Sequence, residues 1–361
     1  MNRPPWKKDI SERVALFRRY YAMANERPLL GFFLGSDYPL HRYSAAASLP
    51  QDRPLVPEDF PVAAYLDDSE RLWEDHEQCG GDFIWAGTCF WGIPWLEAAL
   101  GCPIYADHAA GSIHAEPPEG FAGTESIPAF DPTSPWMRKS AEFFEAMRVR
   151  SAGRWPLATT RMRGVADLLA ALYGGESLVF AMLERPEEVQ AAAEKLTDFF
   201  IAFGRFQLER IPEYRGGIGS FYYAMWAPKG TVWHQEDAAA LLSPELYHQF
   251  IEPCDRRIAA AFEHCILHLH PSGFCPIDAC LTMDLAAIEL HVDTGGPGIG
   301  ELRATHCKIL ERRPLLIWGR FSGRELHRLF SGLPGRGLAV QAVVDSPREA
   351  EALWDACMAP P

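Results

Sequence analysis

The sequence Ile266-Leu267-His268-Leu269-His270-Pro271-Ser272-Gly273 predicts a buried strand that ends abruptly at a proline and a glycine. Side chains alternate along a strand, so His268 and His270 point the same way near its carboxyl end. Two imidazoles that converge at the end of a buried strand indicate either a metal site or a polar substrate pocket.

Strand-like and helix-like segments alternate on both sides of this strand. Eight strand candidates lie near residues 30, 84, 159, 219, 267, 289, 317 and 340, and helical sequence follows each of them. This alternation predicts an α/β fold, a (β/α)₈ TIM barrel in which residues 1–361 form a single domain. We expect an N-terminal helical extension over 1–28, loop insertions over 40–68 and 103–135, and an aromatic and acidic loop over 233–237.

The composition indicates which classes of partner the protein can bind and in which cellular compartment we expect it. A formal net charge of -14 argues against nucleic acid and against anionic membrane surfaces, because both require a basic protein face. No uncharged apolar run is long enough to span a bilayer, so we expect no membrane partner. The nine cysteines are scattered and odd in number, which favours reduced thiols and a cytoplasmic location.

In a barrel of this kind the chemistry lies on the segments that follow the strands. The polar and aromatic residues that the sequence offers at those positions are Asp37, Trp91, Arg161, Arg163, Tyr222, Tyr223, His268, His270, Glu289, His291, Asp293, Arg320 and Gln341. We expect His268, His270, Glu289 and Asp37 to be the catalytic residues.

Three of these residues, His268, His270 and His291, are the predicted metal ligands. They come from adjacent predicted strands, and zinc needs three or four nitrogen, oxygen or sulfur ligands. Glu289 or Asp293 are alternative third ligands. In the other interpretation, the histidines stay neutral and hydrogen-bond substrate carboxylates or neighbouring strands.

The remaining candidates are predicted to bind substrate: Arg161, Arg163, Tyr222, Tyr223, Trp91, Arg320 and Gln341. The arginines would clamp a carboxylate or a phosphate, or else form ion pairs with Glu289 or Asp237. The aromatic residues would wall a pocket for a flat or apolar ligand, although packing is the more common role of such residues.

Four segments, taken in order, resemble the uroporphyrinogen decarboxylase superfamily, which also contains corrinoid-dependent methyltransferases. The matching segments are Trp95–Pro103, then Gly174-Gly175-Glu176 with Arg185–Val189, then Asp237 ahead of Leu242-Ser243-Pro244-Glu245-Leu246-Tyr247 and Pro253, and finally His268–Gly273. The last segment falls where the family has an H-x-C-G or H-x-D-G motif.

The resemblance implies a (β/α)₈ barrel with a deep cleft at the carboxyl ends of its strands. In the methyltransferase branch the aligned histidine and cysteine bind zinc, which acidifies a thiol that attacks a cobalt-bound methyl group. His268 matches the family histidine, His270 replaces the cysteine, and a second family cysteine falls near Gln341. Because glutamine is a poor zinc ligand, Glu289 or His291 would have to complete the site.

The function that follows is a zinc-assisted methyltransferase acting with a methylated small molecule or a corrinoid. The alternatives are a metal-free decarboxylase of a tetrapyrrole-like or small carboxylic acid, and a non-catalytic ligand-binding barrel. The decarboxylase branch has arginines after the first strand, where this chain has Gly35-Ser36-Asp37-Tyr38, with Arg42 nearby. The expected partners are a small-molecule substrate, a corrinoid protein and a second copy of the chain in a homodimer.

Overall fold

The computed structural model describes residues 6–36, 38–221 and 224–358. The strands are β1 Leu29–Leu34, β2 Ile104–Asp107, β3 Ser112–Ala115, β4 Gly217–Ser220, β5 Met225–Pro228, β6 Thr231–Gln235, β7 His264–Leu269, β8 Ala287–Val292, β9 Leu315–Gly319 and β10 Leu338–Val344. The α-helices are α1 Ile10–Tyr21, α2 Pro39–Arg42, α3 Val62–Cys79, α4 Trp95–Ala99, α5 Pro135–Ser151, α6 Val165–Tyr173, α7 Gly175–Glu184, α8 Pro186–Leu208, α9 Pro244–Leu246, α10 Glu252–Ala261, α11 Ile277–Cys280, α12 Arg303–Leu310, α13 Gly323–Gly332 and α14 Pro347–Met358. Short 3₁₀ turns cover Ser44–Ser48, Pro57–Asp59, Thr124–Ser126 and Asp237–Leu241, and a π-helical turn covers Tyr247–Ile251.

A six-stranded parallel sheet forms the centre of the fold, in the order β1-β10-β9-β8-β7-β6. Its register places His268 of β7 opposite Glu289 of β8, and His291 of β8 opposite Trp318 of β9. The polar residues that the sequence analysis selected on separate strands are therefore direct neighbours in the sheet. The prediction of a mixed α/β fold built on parallel strands is confirmed.

Both faces of the sheet are buried, as expected for parallel strands connected by helices. On β7, Cys265, Leu267 and Leu269 join the large core that the surrounding helices cover. Ile266 lies in a second core on the opposite, inner face, and helix α1 contributes Phe17 to that core. His268 alternates in step with Ile266, so it also faces inward.

The structure has no regular strand in the described residues around 84 and 159, where the second and third strands were predicted. The Leu30 amide donates to the Asp82 carboxylate, and the Thr160 amide donates to Gln207. Backbone amides that could pair between strands are therefore hydrogen-bonded to side chains. The segments around 84 and 159 form isolated parallel bridges instead, among them one between Gly87 and Leu157 and one between Arg163 and Gln235. Among the described residues the parallel sheet has six strands, where the sequence predicts eight.

Two further strand predictions need correction. The predicted fourth barrel strand is β4, which pairs antiparallel with β5 in a hairpin instead of joining the parallel sheet. The predicted loop over 233–237 is largely strand: β6 runs from Thr231 to Gln235 and forms the edge of the sheet beside β7. Short strands with a histidine and a glutamine among their few residues carry a weak periodic signal.

The two predicted insertions contain regular structure. The first includes α2 and the start of α3, and the second contains an antiparallel hairpin of β2 and β3. Among the described residues, no single helix is long and apolar enough to cross a membrane. Helices α6 and α7 reach that length and apolarity only as a pair, and they are bent by 99° at the break between them.

Asp82 connects the amino-terminal segment to β1 through a fully buried carboxylate. Its oxygens accept from both terminal nitrogens of Arg27, at 2.7 and 2.9 Å, and Lys8 Nζ lies 3.0 Å away. Burial raises the pKa of Asp82, but the guanidinium, the ammonium and the Leu30 amide outweigh it and lower the pKa below its usual value.

Replacing this carboxylate, Asp82→Asn, is expected to lower the free energy of unfolding by about 2–4 kcal/mol at neutral pH, because a buried ion pair loses one partner. A carboxyl group whose pKa is lowered by folding stabilises the protein fully at pH values above its pKa in the unfolded chain, about 3.9. This stabilisation disappears as the pH falls through the pKa of the folded protein. Urea unfolding at several pH values measures this, and the gap between the two proteins should shrink below about pH 4. Asp284→Asn, at a side chain that is 97% exposed, is the control; equal effects of the two changes at every pH would contradict the assignment.

Candidate metal centre

The inner face of the sheet changes from apolar to polar toward the carboxyl ends of its strands. A cavity of about 260 Å³ lies at that end. Its lining residues are Tyr38, Arg161, Trp233, Gln235, Asp237, His268, His270, His291, Asp293 and Trp318. Most of them lie on or directly after the four adjacent strands β6 to β9.

Three imidazoles meet in this cavity. His268, His270 and His291 each offer a ring nitrogen, and these nitrogens all lie within 4.8 Å of one another. The ring centroid of His270 lies 4.6 Å from that of His268 and 4.7 Å from that of His291. The three residues that the sequence analysis selected as metal ligands are therefore brought together by the fold.

Carboxylates bind the Nδ1 side of two of these rings. His268 Nδ1 donates to Oε2 of the fully buried Glu289, and His270 Nδ1 donates to Asp293 at 2.8 Å. Such contacts fix the orientation of an imidazole and make its other nitrogen a better ligand.

The Nε2 side of both rings faces a single oxygen. Asp237 Oδ1 lies 3.4 Å from Nε2 of His268 and 3.6 Å from Nε2 of His270. Two nitrogens and one carboxylate oxygen therefore converge on the same small volume. His291 adds an Nδ1 atom that is buried and has no hydrogen-bond partner among the described residues.

The electrostatics of the cluster follow from these contacts. Burial lowers the pKa of His268, but Glu289 and Asp237 outweigh it and raise the pKa to about 10. Burial and the two neighbouring histidines lower the pKa of His291 to about 3. The two carboxylates thus favour the charged form of His268, whereas burial and the neighbouring rings disfavour the charged form of His291.

Asp237 is itself held in place by a hydrogen-bonded chain. Gln235 Nε2 donates to Asp237 Oδ2 at 2.6 Å and lies 3.3 Å from Asp167 Oδ2. Arg163 then connects this chain to the buried Glu97, at 3.0 Å, and to Asp167, at 3.6 Å. The ion pairs of Arg163 are thus with Glu97 and Asp167, and not the predicted alternatives.

The other predicted site residues are more dispersed. Arg161 lines the metal-centre cavity, whereas Arg320 pairs with Asp345 at 3.0 Å and half of its side chain is exposed. Gln341 is fully buried within β10, and its amide atoms have no hydrogen-bond partner among the described residues. Trp91 lines a neighbouring cavity. Asp37, Tyr222 and Tyr223 lie outside the described residues.

Asp237 and Gln235 are missing from the predicted site residues. Like Trp233, they depend on β6, which was predicted as a loop. The alternation of Trp233 and Gln235 with the outward-facing Val232 is the signal that would have placed them on an inner strand face. Asp237 entered only as part of the family resemblance and as an alternative ion-pair partner.

Comparison with solved structures finds chains of similar fold. The chain is similar to a methyltransferase from Methanosarcina mazei, with a TM-score of 0.63 and 14% sequence identity, over 94% of this chain and 96% of that one. No protein-family model matches the sequence. No curated protein matches it significantly either. At this identity the likeness establishes a shared fold.

The pair of His268 and Glu289 is expected to be strongly coupled in stability. His268→Ala and Glu289→Ala should each lower the free energy of unfolding by about 3–5 kcal/mol, because each leaves a buried charged partner. The double variant should cost about 1–3 kcal/mol less than the sum of the two. Urea unfolding of the four proteins in the presence of a chelator measures the coupling, and additivity within about 0.5 kcal/mol would contradict it.

Proposed function

We propose that this protein is a methyltransferase that uses a zinc ion held by His268, His270 and His291. The observation that carries the proposal is the meeting of three imidazoles, two of them oriented through Nδ1 by carboxylates. The M. mazei protein, a methyltransferase of similar fold, supports the class of reaction. The methyl donor would be a methylated small molecule or a corrinoid supplied by a partner protein.

The residues present fit a zinc ion by their chemistry. Zinc accepts imidazole nitrogens and carboxylate oxygens, in sites of three or four protein ligands. The buried Nδ1 of His291 has no other partner among the described residues, and the Nε2 atoms of His268 and His270 converge on Asp237. A divalent cation would replace the proton between His268 and Asp237, so binding should be weaker in acid.

The chain's own residues supply orientation and charge. Zinc, when bound, would lower the pKa of a thiol acceptor and keep it as the nucleophilic thiolate. Glu289 and Asp293 fix the rings of His268 and His270, and Asp237 balances the charge of the cation. Arg161 lines the same cavity and offers a positive charge to an anionic group of a substrate.

We also propose the finer architecture that the sequence predicts. A closed (β/α)₈ barrel, formed by residues 1–361 as one domain, is consistent with two isolated bridges, one between the segments around 84 and 159 and one between Arg163 and Gln235 at the edge of the sheet. Membership of the uroporphyrinogen decarboxylase superfamily would fit the motif order and this fold. The scattered cysteines support a cytoplasmic location.

Zinc-dependent methyl transfer should require His268. The chain, purified without a histidine tag, is expected to contain about one zinc per molecule, and His268→Ala less than about 0.3. The zinc-loaded protein should transfer the methyl group of methylcobalamin to small thiols, giving methyl thioethers, detected by mass spectrometry, and cob(I)alamin with a released proton, detected by the cobalt absorbance. His114→Ala, at a half-exposed histidine of β3, is the matched control and should keep both properties.

Two outcomes would oppose this proposal separately. A content below about 0.3 zinc per molecule in the unaltered chain, after growth with added zinc, would contradict the proposed zinc site. Full zinc occupancy without methyl transfer from any donor tested, whether methylcobalamin or a methylated small molecule, would contradict the proposed methyltransferase activity. The proposed zinc site would still stand.

Asp293, which accepts from His270 Nδ1, is expected to raise the affinity for zinc without being a ligand itself. Asp293→Asn is expected to weaken zinc binding by about 10–100-fold, because contacts of this kind orient the ligand and raise its basicity. Competition with a chromophoric zinc chelator measures the affinity, and Asp345→Asn, at an exposed ion pair, is the control. Unchanged affinity in Asp293→Asn would show that the contact between Asp293 and His270 does not serve the metal.

A further inference from the structure

A cavity between helices α12 and α13 lies apart from the metal centre. Its volume is about 280 Å³, close to the lower end, about 300 Å³, of the range for sites that bind small molecules. Arg303 of α12 and the carboxyl-terminal half of α13 contribute to its lining. The cavity shares no lining residue with the metal centre, so the two are built from different side chains.

The floor of this cavity is apolar. Leu329 and Leu333 are buried in the large core, and Ile299 packs against that core from the segment before α12. All three side chains line the cavity, so part of their surface faces it. An apolar group that is placed on this floor leaves water, which favours its binding.

Two guanidinium groups line the same cavity. Arg303 Nη2 donates to the backbone oxygen of Gly332 at 3.2 Å, and neither Arg303 nor Arg328 forms an ion pair among the described residues. Glu325, one turn before Arg328 on α13, instead accepts from the amide and the hydroxyl of Ser322. The chain as a whole has a formal net charge of -14. Two arginines without a carboxylate partner at one cavity therefore favour an anionic ligand.

Two glycines keep this space open. Gly300 and Gly332 both line the cavity, and neither lies in the left-handed backbone region. A Cβ added at Gly300 would meet no atom within 4 Å, and one added at Gly332 would meet only Arg303 Nε, at 4.0 Å. A larger side chain at either position would therefore occupy the cavity without displacing its walls.

We propose that this cavity binds a small organic anion that joins a carboxylate or phosphate head to a short apolar tail. Arg303 and Arg328 bind the head, because a guanidinium matches the oxygens of either group with parallel hydrogen bonds. The tail lies on Leu329 and Leu333. This site is additional to the metal centre and does not depend on the proposed methyl transfer.

Probes with one tail and different heads test this with the full chain, by ligand-observed NMR. Octanoate or octyl phosphate is expected to bind with a dissociation constant of about 1 mM or below, octanol at least about fivefold more weakly, and octylamine without saturation. The tighter of the two anions identifies the head group. Raising NaCl from about 50 to about 500 mM should weaken anion binding at least about threefold, because salt screens exposed charges.

A change of charge tests the head group. Arg328→Gln should weaken anion binding about three- to tenfold and leave octanol binding unchanged, because it removes charge-assisted hydrogen bonds and keeps a side chain of similar length. Arg324→Gln, at an exposed arginine of the same helix outside the lining, is the matched control and should change neither.

A second variant fills the space itself. Gly332→Leu should abolish the binding of every probe while the thermal midpoint shows that the protein is folded. Gly175→Leu in α7, where an added Cβ also meets no atom within 4 Å, is the control and should bind the anion normally. Absence of saturable binding of both anions, equal binding of octanol, or equal effects of Arg328→Gln and Arg324→Gln would each overturn the proposal.

The metal centre and this cavity can be tested separately. His268→Ala should bind the anion as the unaltered chain does, because the two cavities share no lining residue. Anion binding without zinc or methyl transfer would therefore reject the proposed function alone, and zinc-dependent transfer without anion binding would reject this inference alone.

Discussion

The contacts of one buried imidazole with two carboxylates constrain the centre of this protein. His268 lies on the inner face of the sheet with Glu289 on one side and Asp237 on the other, almost completely removed from water. A charge in such a place costs several kcal/mol unless its partners are correctly placed. The register of β6, β7 and β8 is therefore fixed, since a slip of one residue would turn His268 toward the helices.

The parts of the fold that could be predicted from the sequence are those with a continuous apolar signal. Strands β1, β7, β8, β9 and β10 are buried on both faces, so each is a short apolar run that is visible without any knowledge of its neighbours. The cap at Ser243, whose Oγ accepts from the Leu246 amide, follows from local chemistry, because serine is a preferred residue at the start of a helix. The segments around 84 and 159 differ, because the Asp82 carboxylate binds the amide of Leu30 and Gln207 binds the amide of Thr160, contacts between residues far apart in the sequence.

The candidate metal centre was predictable in position and less so in composition. His268, His270 and His291 could be chosen because each follows from the alternation of a strand that was itself predicted. Asp237 and Gln235 could not, because their placement depends on a short edge strand and on a hydrogen bond to Asp167, far away in sequence. The connection of Arg163 to Glu97 is a contact of the same long-range kind.

The pairing of β1 with β10 has a consequence for how the chain folds during synthesis. Leu29 lies opposite Ala339, so one edge of β1 stays without its partner until nearly all of the described chain has left the ribosome. An unpaired edge rich in leucine and phenylalanine is a template for pairing with other chains, and contacts of such large sequence separation form slowly. Nascent chains of this protein should therefore depend on chaperones, and slower growth at lower temperature should favour the recovery of folded material.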